Sequence, residues 1–147
     1  MSKLYASWQH GFTAVAENPG TSAFRQGFGV TFSLPANGGD WIHLAIPTPV
    51  IVEDRRATLD RVLILFHARE TSSLLHVHVW DGPNRILARD DLKIEGDHVH
   101  GLSANNVFPV GRDGINFGCG ISMYFAAGQI DSHVFIAGFG GDFSHNI

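Results

Sequence analysis

LDRVLILFHARETSSLLHVHVWD, residues 59–81, decides how the rest of the chain is read. Two apolar, β-favouring runs flank a short polar break, which is the pattern of an antiparallel hairpin. Side chains alternate along a strand with period two. Val62, Ile64, Phe66 and Ala68 therefore share one face of the first run, and Leu75, Val77 and Val79 share one face of the second. These two sets are expected to enter the core side by side. The reverse face carries Leu63, Leu65, His67 and Arg69 beside Leu74, His76, His78 and Trp80. A four-residue loop sets His67 opposite His76, and a two-residue loop sets it opposite His78. In either register the Cβ atoms of such neighbours lie about 5–7 Å apart.

The flanking sequence repeats the strand signal. Phe24, Phe28, Val30 and Phe32 share parity in one expected strand, and Asp40 to Ile46 form another that stops at Pro47-Thr48-Pro49. The clearest alternation runs from Ile115 to Phe125. It sets Ile115, Phe117, Cys119, Ile121, Met123 and Phe125 against Asn116, Gly118, Gly120, Ser122 and Tyr124. Glu17-Asn18-Pro19-Gly20, Asn37-Gly38-Gly39, Asp81-Gly82-Pro83-Asn84 and Arg112-Asp113-Gly114 are turn signals. No segment sustains a 3.6-residue apolar period. The expectation is an all-β chain with little or no helix. It is an antiparallel β-sandwich of about eight to ten strands, jelly-roll-like connections being one option, with residues 1–147 as a single domain.

A net charge of −4 and scattered Lys and Arg argue against nucleic acid as a partner. Charged residues make up 16% of the chain, where a typical domain has roughly 25%. That deficit, and a run from Val62 to Phe66 that is apolar on both sides, point to cover by a second subunit. A homo-oligomer is the expected partner state. No apolar run is long enough to span a membrane, and the first residues lack a signal-peptide pattern, so a cytoplasmic location is expected. The single cysteine, Cys119, excludes an internal disulfide framework and reads as a small buried packing residue.

Nine histidines are many for 147 residues. In the expected hairpin His67, His76 and His78 converge and could hold a divalent metal such as zinc, with a fourth position for a water. Packing or a subunit interface is the leading reading of the same face, which also carries Leu63, Leu65, Leu74 and Trp80. His98 and His100 adjoin a loop, and His133 shares a strand face with Asp131. Trp8, Trp41 and Trp80 are candidates to stack on a sugar ring, or to anchor the sandwich. The leading functional expectation is a non-enzymatic, self-associating assembly or binding module with no cofactor. The alternatives are a metal-dependent hydrolase or lyase built on the three histidines, and a carbohydrate-binding module built on the tryptophans.

Trp8-Gln9-His10-Gly11 and Ala45-Ile46-Pro47-Thr48-Pro49-Val50-Ile51 resemble a W-x-H-G opening and an A-I-P-T-P-V-I centre of small uncharacterised bacterial proteins. The resemblance implies a small all-β domain and brings no catalytic residue with it.

Overall fold

The computed structural model describes residues 2–146. Both runs of the deciding stretch are strands, β8 (Thr58–Ala68) and β9 (Ser73–Asp81), but they do not pair with each other. β8 lies in a seven-stranded antiparallel sheet. Its neighbours are β14 (Ser132–Asn146) on one side and β11 (Gly96–His98) and β12 (Val107–Arg112) on the other. β1 (Ser2–His10), β4 (Gly29–Leu34) and the edge strand β3 (Ala23–Gln26) complete that sheet. β9 lies in a five-stranded sheet between β10 (Asn84–Arg89) and β13 (Cys119–Ala126), followed by β5 (Gly39–Ile46) and β2 (Val15–Ala16). A small hairpin, β6 (Ile51–Val52) and β7 (Arg55–Arg56), stands apart.

The expected hairpin is therefore an arch. Alternation reports which side of a strand is apolar, not which strand lies alongside. Val62, Ile64 and Phe66 meet Val77 and Val79 across the sandwich, and all five are fully buried. Phe66 and Phe125 join the sheets edge to face, with centroids 5.7 Å apart. The polar break closes the arch. Arg69 N donates to His133 O at 2.9 Å, Ser72 N donates to Arg69 O at 2.9 Å, and Glu70 takes a left-handed φ of 51°.

Three more expectations change in detail. Leu74 enters the core in place of Leu75, because β13 pairs Tyr124 with His76 and then Phe125 with Leu74, leaving Leu75 as the extra residue of a bulge. Residues 23–34 form a hairpin, β3 and β4, so Phe24 and Phe28 are exposed while Val30, Phe32 and Leu34 are buried. Phe117 precedes β13 and points to solvent.

Part of the outer side of β8 is covered by the chain itself. Leu63 is 3% exposed within the single chain. Leu65 and the Trp8 ring both pack over Gly138, within 4.0 Å of where a Cβ would stand. The motif residues are structural. A Cβ on Gly11 would collide with the Ile136 carbonyl. Thr48 Oγ1 donates to Ile46 O and accepts from Cys119 N. Among the described residues no helix is long and apolar enough to cross a membrane.

Candidate functional site: an aromatic groove

The outer side of the five-stranded sheet is built on β13. Tyr124 lies opposite Trp41 of β5 and His76 of β9. Ser122 lies opposite His43 and His78, and Gly120 opposite Ala45 and Trp80. Strand parity alone puts all nine residues on one face. The two indoles therefore stand diagonally across Ser122, and at the Trp80 end of the strip Gly120 has no side chain.

A chain of hydrogen bonds runs across this face. Trp80 Nε1 donates to Ser122 Oγ at 3.2 Å. Ser122 Oγ and His43 Nδ1 are 2.8 Å apart, and His43 Nε2 lies 3.0 Å from Glu17 Oε1. A carboxylate only accepts, so Nε2 of His43 carries a proton. In the neutral ring Nδ1 then accepts, and the Ser122 hydroxyl donates to it. Glu17 is set in place by its own N–H, which donates to Trp41 O, and by buried Asp40, which accepts from Asn18 N and Thr21 Oγ1.

On the other flank Asp90 Oδ1 accepts from His76 Nδ1 at 2.9 Å and His78 Nε2 at 2.8 Å. The His78 bond is the main cause that holds the Asp90 carboxyl below its ordinary range; desolvation pushes it up, and the weaker His76 bond adds to the lowering. Both imidazoles, fixed this way, pack against Trp41, with centroids 5.8 Å away for His76 and 4.9 Å for His78. Tyr124 adds a third contact at 5.3 Å. Trp41 is thus pinned from three sides.

Two adjoining hollows result. The larger, about 550 Å³, runs past Trp80, His43, Gly118 and Gly120 to Gly82. The smaller, about 120 Å³, lies between Trp41, His78 and Glu17. They share His43, Trp80 and Ser122. Cys119 lies under the larger hollow. Burial raises its pKa to about 11, so it is a thiol at neutral pH and packs rather than reacts. Asp81 locks the end of the groove by accepting from the backbone N–H groups of Asn116, Phe117 and Gly118. Burial alone would raise the Asp81 pKa. The three amides, with Arg112, bring it below the usual value.

The structure separates the three histidines expected to share a metal. His67 is on β8 in the other sheet, opposite Asp97 and Phe135, whereas His76 and His78 are on β9. The zinc site drawn on all three does not form, because the pairing it required is an arch. The ring nitrogens that His76 and His78 turn toward each other's neighbour, Asp90, both donate protons to it and are not disposed as metal ligands. Among the described residues no group of three His, Cys, Asp or Glu side chains could hold a metal ion. His133 pairs with Glu70, not with Asp131, whose carboxylate accepts from Ala36 N. Of the tryptophans, Trp41 and Trp80 come together and Trp8 lies on the opposite sheet. His43, Ser122 and Tyr124 were missed as site residues, although their parity with Trp41 and Gly120 was readable. Glu17 and Asp90 come from turns, and no local signal marks them.

Fold and site together define an antiparallel β-sandwich with an aromatic groove on the outer side of its smaller sheet. The chain belongs to DUF6623, a family of unknown function, whose model matches residues 3–146. No curated protein is similar to it at a significant level. Among solved structures it is similar to TmCBM61 in complex with β-1,4-galactotriose, with a TM-score of 0.47 and 13% identity over 95% of this chain and 88% of that one. It is also similar to an exo-β-1,3-galactanase from Phanerochaete chrysosporium with galactose, with a TM-score of 0.45 and 13% identity over 93% of this chain and 29% of that one. A third is xylanase 10C from Cellvibrio japonicus in complex with xylopentaose, at 0.41 and 14% over 90% and 26%. Likenesses of this strength carry nothing about ligand or activity.

Proposed function

We propose that the protein is a non-catalytic carbohydrate-binding domain whose binding surface is the groove across β9, β13 and β5. The observation that carries this reading is a pair of tryptophans held by their neighbours on one sheet face, with a bare floor at Gly120 beside Trp80. A sugar ring presents apolar C–H faces and a rim of hydroxyls. It is matched by fixed aromatic planes interleaved with groups that both donate and accept hydrogen bonds. Trp41 and Trp80 supply the planes. Ser122, His43 and Glu17 supply the rim contacts, already oriented by one another, so little ordering is needed on binding. The Asp90 carboxylate beside the groove is not suited to be the general acid of glycoside hydrolysis. A general acid needs a raised pKa, and the Asp90 carboxyl is lowered by its two histidines.

Native affinity electrophoresis in gels containing galactan, xylan or mixed-linkage glucan tests the reading. The protein is expected to be retarded by at least one, and Trp80→Ala and Gly120→Val to run unretarded. Free migration of the wild type in every gel would end it. A second reading, self-association, keeps one specific support: the edge strand β3 presents exposed Phe24, with exposed Phe28 in the turn that follows it. Sedimentation velocity showing a monomer at high concentration would remove it.

A further inference from the structure

Resting on the carbohydrate reading, we infer that the groove takes an unbranched run of several sugar rings, with Phe117 as the platform at its far end. Three observations lead there. First, the two hollows adjoin, sharing His43, Trp80 and Ser122 in their walls. From Ser122 to Gly118 the stretch of chain lining them spans about 13 Å, at roughly 3.3 Å per residue. That is longer than one sugar ring.

Second, the floor is bare without structural need. A Cβ on Gly120 would come no closer than 3.5 Å to any neighbour, and one on Gly118 no closer than 4.0 Å. Neither glycine has a left-handed φ. Both positions could carry a side chain, so their emptiness serves the groove and not the fold. Gly140 on the other sheet is the contrast, since a Cβ there would stand 2.5 Å from Ser7 O.

Third, Phe117 is an exposed ring on a rigid mount. It is 65% exposed, yet its backbone is tied to buried Asp81, as are those of Asn116 and Gly118. Its ring packs against Gly82, which lines the groove and has a φ of 57°, leaving only 2.9 Å between a Gly82 Cβ and the phenyl edge. Alternation through β13 would have turned Phe117 inward. The Asp81 tie turns it outward, at the end of the line of Trp41 and Trp80. A fixed aromatic plane at that point extends the stacking surface past the last strand residue.

Calorimetry with the triose and the hexaose of whichever of galactan, xylan or glucan retards the protein most tests the inference. The hexaose is expected to bind the wild type about tenfold tighter than the triose. Phe117→Ala should remove most of that advantage and leave triose affinity unchanged. Gly118→Val, which fills the floor short of Phe117, should also remove most of the length advantage. Equal affinity for both lengths, or a Phe117→Ala variant that keeps the full length advantage, would overturn the chain-binding inference and leave the carbohydrate reading standing. Failure of the wild type to be retarded by any of the polysaccharides would instead overturn the carbohydrate reading, and this inference with it.

Discussion

The outer sides of the two sheets use the same materials to opposite ends. On the seven-stranded sheet, Gly138 and Gly140 leave a hollow that Trp8 fills from the neighbouring strand, with Leu65 beside it. Arg69 lies over the Phe135 ring at 5.6 Å, and Phe28 packs on that ring at 5.8 Å. On the five-stranded sheet Gly120 also sits beside a tryptophan, but Trp80 is drawn sideways by its bond to Ser122 and leaves the floor open. Glycine beside tryptophan is thus packing on one face and a groove on the other. The deciding feature is whether a polar partner holds the indole away.

The sharpest way to break this contrast is to add one methyl group on each face. Gly140→Ala brings a Cβ to 2.5 Å from Ser7 O and 2.9 Å from the Trp8 ring. It should cost about 2–3 kcal/mol in urea unfolding, the range for overpacking. Gly120→Ala meets only an ordinary contact and should change stability by no more than about 0.5 kcal/mol. A large loss at Gly120 would mean that its bareness is structural after all.

Next in size is Asp81, which secures the open end of the groove. Asp81→Ala leaves three backbone donors without their acceptor and should cost about 2 kcal/mol. The pH dependence has a definite sign. The native carboxyl is lowered from 3.8, so its contribution is complete above that pH and fades as pH falls through the lowered native value. Asp81→Asn should flatten the acid limb of a stability–pH profile measured by urea unfolding, and an unchanged limb would contradict the assignment.

The tryptophans give a paired test at about tenfold in affinity. Trp80→Ala should weaken polysaccharide retention by tenfold or more, about 1.4 kcal/mol, with little loss of stability. Trp8→Ala should do the reverse, lowering the melting temperature and leaving retention intact. The smallest effect is expected at Glu17→Gln. It keeps an acceptor for His43 but removes the charge, and should change affinity a few-fold at most, read by calorimetry.

What was legible in the sequence follows from what alternation encodes. Val62, Ile64 and Phe66, and Cys119 through Phe125, were placed on the right side because burial repeats every second residue. Pairing is not encoded that way. Residues 59–81 satisfy a hairpin and an arch with nearly the same inward set, Leu74 replacing Leu75, and the polar contacts of Arg69, Thr71 and Ser72 with His133 and Ser132 close the arch. The histidine cluster failed for that reason alone. Two of its members remain together with Trp41, and the third went to the opposite sheet with the strand that carries it. The bulge at Leu75 and the Asp81 tie that turns Phe117 outward depend on long-range hydrogen bonds, which no local pattern announces.

The indole N–H signals of the three tryptophans, followed by ¹H–¹⁵N NMR during titration with the best-retarding oligosaccharide, test the central claim most directly. The account predicts that the Trp80 and Trp41 signals move with saturation while Trp8 stays fixed. Movement of Trp8 alone, or of none of the three while the ligand binds, would place the binding surface elsewhere and contradict it.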